Sequence, residues 1–339
     1  MWDDDDDLME ELERMNNEPF VMVRHKSLYV PAPLAKGDKI GIVSLSGYES
    51  EEVIGAMGII ASYGYVPVVS KAIQRSHPES GIIPRGERIS ELHYMLEDPE
   101  IRAIFCCGDG SGSIEMLPNF SYGPIARNPK WLVGNGDVTA MLAMWLISDI
   151  ASVHGPMCAE LTSESQGVAS LFNLLASGGK MDYLLPVSSG CAKGEASGIL
   201  IGGNLSVLAL LGGTSYDVID RYTNRDFNAK GMILFVEDSG VSLRRVRDML
   251  LRLYLTGRML FVKGLIFGSF DDCESYEHLQ SIRDVVQELE DRWMISPGIP
   301  IVFDFPIGTG TADIPLIQGQ EVRLEVSDEL VSLRSVQSE

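Results

Sequence analysis

The chain has 339 residues, of which 45% are hydrophobic and 22% charged, enough for about two ordinary domains with substantial cores. The formal net charge is −21, and no basic stripe stands out that would release phosphate counterions, which excludes nucleic acid as a partner. No apolar run approaches the roughly 20 residues of a membrane span, and the N-terminus is acidic where a secretory signal is basic and then apolar, so the expectation is a cytoplasmic protein with a small-molecule or peptide ligand.

The first segment, residues 1–32, is read as an acidic N-terminal extension. Its start, "MWDDDDDLMEELERMNNE", sets nine acidic residues against one arginine and reads as a solvated tail, because clustered aspartates repel one another in compact structure. From "GDKIGIVSLSG" onward, strands predicted at 39–45, 66–70, 101–106, 131–134 and 151–154 alternate with helices predicted at 50–63, 84–96, 112–118, 137–148 and 159–176. That alternation implies parallel strands joined by crossover helices, an N-terminal α/β domain over 33–180. "VSSGCAKGEASG" then breaks the pattern with small residues, and 181–197 is read as a linker. A second mixed α/β domain over 198–330 follows, carried by "ILIGGNLSVLALL", "GMILFVEDSG", "RVRDMLLRLYL", "FVKGLIFGSF" and "IPIVFDFPIG". The five cysteines are odd in number and lack metal-ligand spacing, which predicts neither a disulfide framework nor a metal site; Cys106 and Cys107 read as small buried residues at a strand end.

Three stretches bear on chemistry. "KWLVGNGDVTAML", residues 130–142, reads as strand, turn and helix start, the way many hydrolases present a nucleophilic serine, but the turn holds Gly136. "GDGSGS", residues 108–113, lacks the Lys-[Ser/Thr] of a phosphate-binding P-loop and does not fit G-x-G-x-x-G, so it reads as a turn or an oxyanion loop. "GGNLS", residues 202–206, reads as a strand-to-helix turn with a packing role unless the interdomain cleft reaches it.

Seven blocks, "LAKGDKIGIVSLSG", "LPNFSYGPIARNPKWLVGNGDVTAML", "VHGPM", "IGGNLSVLALLGGT", "ILFVEDSG", "GLIFGSFDDC" and "FPIGTGTADIPLIQG", occur in the order and approximate spacing of the LD-carboxypeptidases and the related microcin C immunity peptidases. The chain resembles that family over roughly residues 33–327. The resemblance implies a two-domain α/β serine peptidase with its active-site cleft between the domains, no metal and no organic cofactor, and a homodimer by analogy. It also implies cleavage of amide bonds near a free carboxy end, in murein tetrapeptides or peptidyl-nucleotides.

Carried over position by position, the family's G-[YF]-S-D-x-T-A block falls on Gly134 to Ala140, so the nucleophile position is Gly136. The family's glutamate is retained as Glu237, and its histidine position, after a Gly near the end of the second domain, is Thr309. The N–H of Asp137 and the loop around Gly110 and Ser111 are the expected oxyanion and substrate-binding groups. A hydroxyl that attacks, an imidazole that takes its proton and a carboxylate that orients the imidazole act as a unit, so losing two members leaves only binding and oxyanion donors. The favoured expectation is a peptidase homologue that binds a peptide, murein fragment or peptidyl-nucleotide without efficient hydrolysis. The alternative is an active amide hydrolase with a relocated nucleophile, for which Cys107, Ser111, Ser113, Thr139 and Thr311 lie nearby in sequence. His154, in "VHGPM", is read as a packing or loop-orienting residue.

Overall fold

The computed structural model describes residues 28–48, 50–75, 83–108, 110–163, 165–223, 230–292, 294–308 and 313–336. The acidic tail, Asp109, Thr309 and Thr311 therefore lie outside the described residues.

Strands β1 (Lys39–Ser44), β2 (Val66–Val69), β3 (Ile101–Cys107), β4 (Trp131–Gly134) and β5 (Ser152–His154) form a parallel sheet in the order β5-β4-β3-β1-β2. Helices α1 (Ser50–Ser62), α2 (Lys71–Gln74), α3 (Arg85–Glu97), α4 (Ser113–Met116), α5 (Tyr122–Arg127), α6 (Thr139–Ile147) and α7 (Gln166–Ala176) lie between or after them. The apolar runs of β1, β3 and β4 are buried nearly throughout, as strands covered on both faces must be. Two short helices, α2 and α5, were not expected, and both start at a serine whose hydroxyl accepts a backbone N–H of the first turn. The helix expected over 159–176 begins only at Gln166, with a 3-10 turn at Cys158–Glu160 before it.

The second sheet runs β10-β9-β8-β7-β12-β13-β6, from β6 (Asp182–Pro186), β7 (Gly194–Asn204), β8 (Met232–Glu237), β9 (Val262–Phe267), β10 (Ile301–Val302), β12 (Glu321–Val326) and β13 (Leu330–Ser335). Its β7 to β10 half is parallel and its β7-β12-β13-β6 half antiparallel. The segment read as a linker over 181–197 is thus largely sheet: β6 pairs with β13, and the start of β7 pairs with β12. Its small residues suppress the apolar alternation that marks a strand, and pairing with an antiparallel neighbour supplies the order instead. The division at 198 is crossed again by β11 (Leu316–Gln318), which returns to the first sheet antiparallel to β5.

Helices α8 (Leu205–Leu211), α9 (Val218–Thr223), α10 (Leu243–Leu255) and α11 (Ile282–Asp291) flank the second sheet. α10 buries Leu243, Val246, Leu250 and Leu253 on one face and turns its arginines outward. α11 opens with a reciprocal cap between Ser281 and Asp284. α6 has no polar face, and every one of its residues is buried. It packs against α8 and α9 of the other half, so one apolar cluster runs through both units and holds the end of β4 against the end of β8.

Candidate functional site

The turn after β4 is built around Gly136. Asn135 is extended, Gly136 enters the left-handed region at φ +51°, and a 3-10 turn over Gly136–Val138 leads into α6. A Cβ on Gly136 would meet no atom within 4 Å, so the position points into open space. The turn is tied from both sides. The Asn135 amide donates to Glu160 at 3.0 Å and to Asp313 at 3.2 Å, while the Asp137 carboxylate accepts the Ser113 N–H at 2.8 Å. The Thr139 hydroxyl accepts the N–H of Asn204 at 3.0 Å, joining the start of α6 to the end of β7.

Glu237 ends β8, opposite Asn204 in the parallel register, and is only 3% exposed. The Asn204 side-chain amide and the Gly136 N–H are the donors that favour its charged form, whereas burial first, then Asp238 and Glu160, push its carboxyl up to about 8. Its Oε1 has no hydrogen-bond partner. Asp238, the next residue, is committed to structure: it accepts Ser206 N–H at 2.9 Å, Ser206 O–H at 2.6 Å, Ser239 N–H at 3.0 Å and the Asn204 amide at 3.2 Å. Gly308 closes the third side, because a Cβ there would stand 3.3 Å from the Glu237 Cβ. Its N–H donates to Asp313 at 3.2 Å. Burial also raises the Asp313 carboxyl, with Glu160 and Glu237 adding repulsion. The structure therefore brings Gly136, Glu237 and the residue before Thr309 together, with Thr309 itself outside the described residues. A cavity of about 480 Å³ opens beside Gly308 and Asp313, walled in part by Ser269, Phe270, Asp304 and Phe305.

The expected oxyanion loop folds against the loop after β1. A Cβ on Gly108 would lie 1.3 Å from the Gly47 carbonyl oxygen, whereas Gly110 and Ser111 are exposed. Among the residues weighed as a relocated nucleophile, Cys107 and Ser113 are fully buried and the Thr139 hydroxyl is engaged by Asn204. His154 is fully buried, sits edge-on to Phe235 at 5.2 Å with neither ring nitrogen partnered, and is pulled down to about 3 by burial. His93 stacks on Phe120 at 4.3 Å and His278 lies 3.2 Å from Glu288; His25 and His77 fall outside the described residues. Among the described residues no group of His, Cys, Asp and Glu is arranged to hold a metal ion, and no helix is long and apolar enough to cross a membrane.

Residues 40–155 match the N-terminal domain of LD-carboxypeptidases and residues 197–324 the C-terminal domain. A relative from Synechocystis sp., provisionally named a carboxypeptidase, is 30% identical over 302 residues, 88% of this chain and 95% of that protein. This chain belongs to the LD-carboxypeptidase family. The murein tetrapeptide carboxypeptidase of Pseudomonas aeruginosa is 26% identical over 249 residues, 70% of this chain and 77% of that one. The microcin C7 self-immunity protein MccF of Escherichia coli is 26% identical over 297 residues, 75% of this chain and 83% of that one. A solved structure of MccF with glutamyl sulfamoyl guanosine superposes with a TM-score of 0.77 over 91% of this chain and 98% of that one, at 22% identity, a likeness of fold.

Within this LD-carboxypeptidase fold, sequence reasoning missed Asn135, Glu160 and Asp313, which meet across 25 and 178 residues of chain. No local pattern marks such a cluster. Asn204 did carry a signal, since "GGNLS" reads as a strand-to-helix turn: its side chain caps α8 by accepting the Val207 N–H at 3.1 Å and also faces Glu237.

Proposed function

We propose that this LD-carboxypeptidase homologue binds a peptide, a murein fragment or a peptidyl-nucleotide between its two sheets without efficient hydrolysis. The observation that carries the reading is Gly136: the strand-to-helix turn is kept, with open space where a side chain would project and Glu237 beside it. Glycine supplies no attacking atom. Threonine at position 309, where the family resemblance puts the general base, has no lone pair that titrates near neutrality. Glu237 alone has no imidazole to orient. What remains is the fixed turn, backbone N–H groups at the start of α6, and the cavity beside Gly308 and Asp313, which can bind and position a ligand.

The ligand class is proposed from the relatives: the Pseudomonas aeruginosa protein is named for a murein tetrapeptide, and MccF has been solved with an aminoacyl sulfamoyl nucleoside. A cytoplasmic location and a homodimer belong to the same proposal, the first from the acidic composition and cysteine usage, the second from the family. The test is a panel of murein tetrapeptides and acyl-sulfamoyl adenylates, with binding measured by calorimetry and products by mass spectrometry. Binding without product is the expected result. Turnover of any member at rates typical of enzymes, about 1 s⁻¹ or more, would establish the relocated-nucleophile hydrolase instead.

A further inference from the structure

The outer face of α10 is basic, on a chain whose net charge is −21. The helix sets Arg244, Arg245, Arg247 and Arg252 against a single acid, Asp248, within 13 residues. Its stripe of Leu243, Val246, Leu250 and Leu253 is turned inward, so the helical repeat turns Arg244, Arg245, Asp248, Arg252 and Leu255 to solvent. Asp248 lies 3.8 Å from Arg244 and 3.3 Å from Arg247. Arg245 and Arg252 pair with no carboxylate among the described residues, and Arg252 donates to the Gly212 carbonyl at 2.8 Å. That bond ties α10 to the end of α8, and α10 also packs on the 3-10 turn Arg258–Phe261. Leu210 of α8, Leu255 of α10 and Leu260 of the turn are 64%, 73% and 72% exposed, three of the four most exposed large apolar side chains among the described residues. Basic and apolar surface thus meet at one end of α10, unlike the single leucines scattered over an ordinary surface.

We propose that this face of α10 is the docking surface for the acidic N-terminal segment of the same chain, residues 3–13. The segment carries eight acidic residues and no basic one, with Leu8, Met9 and Leu12 among them. Alone it repels itself, as a solvated tail does; the α10 arginines supply the counter-charge, and the exposed leucines match its apolar side chains. A second copy of α10 is the poorer occupant, because two faces of net positive charge repel. A separate acidic protein competes only at its bulk concentration, whereas a tethered segment acts at an effective concentration of about 1 mM.

The chain is placed to reach this surface. Leu28 is the first described residue, and the Tyr29 N–H donates to the Asp149 carbonyl at 2.8 Å. The Asp149 carboxylate accepts Arg221 of α9 at 2.9 Å, and α9 packs on the 3-10 turn that carries Leu260. The stretch from residue 13 to residue 28 can span up to about 50 Å, against a length of about 20 Å for α10. Surface ion pairs dominate the docking, which makes it salt-sensitive: the Debye length shrinks from about 30 Å at 0.01 M salt to about 3 Å at 1 M.

Trypsin cleavage after Arg14 in the full chain reads the docking, with a synthetic peptide of residues 1–27 as the unattached reference in the same buffer. An effective concentration near ten times the Kd leaves the segment undocked about one tenth of the time. At about 10 mM NaCl the full chain should therefore be cut about tenfold more slowly than the peptide. At about 1 M NaCl the two rates should converge. They should also converge at low salt in the triple variant Arg244→Gln, Arg245→Gln, Arg252→Gln, and in a chain with Asp3, Asp4, Asp5, Asp6 and Asp7 each changed to Asn, set against a peptide of its own sequence. The second variant leaves the described residues untouched, so a folding defect in the first does not remove the test. Equal rates for the natural chain and the peptide at low salt overturn the docking. Undiminished protection at high salt, or in either variant, overturns the pairing of this segment with the α10 arginines. Protection that grows as the chain is concentrated overturns docking within one chain, because a segment held by its own chain ignores dilution.

Discussion

The ends of β4 and β8 face each other across the two sheets, and they distribute their hydrogen bonds in opposite ways. At the end of β4 everything around the reacting position is tied down: Asn135 to Glu160 and Asp313, Asp137 to Ser113, Thr139 to Asn204. At the position itself, Gly136, a Cβ would meet no atom within 4 Å, while its N–H donates to Glu237. At the end of β8 the supporting residue, Asp238, is saturated by four donors, while its neighbour Glu237 keeps an oxygen unsatisfied. In both turns most of the bonds that shape the backbone are made by the neighbours of Gly136 and Glu237. The turn needs no side chain at Gly136 for its packing, because a Cβ there would meet no atom.

Dislodging the support should therefore cost far more than altering the pointing residues. The largest effect is expected from Gly108→Ala. At φ +90°, with the Gly47 carbonyl oxygen 1.3 Å from the new Cβ, the loop must leave its seat and release the Ser113 to Asp137 bond. A loss of at least about 3 kcal/mol follows from backbone strain and overpacking together, readable by urea denaturation. A variant that unfolds at the same urea concentration as the natural chain would show that the loop does not brace the turn.

The adjacent carboxylates sharpen the contrast next. Asp238→Asn takes charge-assisted acceptors from the start of α8 and should lose about 2 kcal/mol. Glu237→Gln should gain stability, and only above acid pH. Its folded carboxyl titrates near 8, above the ordinary 4.5, so the folded chain retains a proton that the unfolded chain releases. Its contribution is full below pH 4.5 and is lost at about 1.4 kcal/mol per pH unit as pH rises to 8. Stability curves of the two variants between pH 5 and 8 check this, and a slope unchanged in Glu237→Gln would place the titration elsewhere.

The parallel sheet was legible because its strands are short apolar runs separated by amphipathic helices; β1 to β5 fall within about a residue or two of the expected spans. The antiparallel half was not. β6 is a five-residue strand with Pro186 at its end, the first half of β7 carries Gly, Ser and Ala, and β11 joins a sheet whose other strands end more than 150 residues earlier. At the site, Gly136 and Glu237 were visible because each closes a strand at a recognisable turn. The clamp of Asn135, Glu160 and Asp313 is a tertiary product, and its members look like ordinary surface polar residues until the two halves pack.

His154 extends the comparison from the cleft to the wall behind it, with a smaller effect. Where Glu237 meets donors, His154 meets only apolar surroundings and Phe235, which hold it neutral down to about pH 3. A depressed histidine acts in the sense opposite to Glu237. The unfolded chain takes up a proton near pH 6.5 that the folded chain refuses, so stability is lost as pH falls from 6.5 towards 3. His154→Phe should recover about 2 kcal/mol at pH 5 relative to its effect at pH 8. Equal effects at the two pH values would mean that the imidazole is charged inside the fold.

The smallest change tests whether the pointing residues are as independent of the scaffold as the comparison holds. Gly136→Ser adds a side chain that meets no atom, so its structural cost is confined to placing a non-glycine residue at φ +51°, about 1 kcal/mol. A much larger loss would mean that the turn has adapted to glycine. The serine has no imidazole among the described residues to take its proton, and so hydrolysis of murein tetrapeptides should stay at background. Gly136→Ser with Thr309→His supplies both missing groups and should give measurable release of the terminal residue by mass spectrometry. Strong hydrolysis by Gly136→Ser alone would reveal a base already in place. It would sink the view that the cleft lost two groups that worked as one, since a hydroxyl without its base recovers almost nothing.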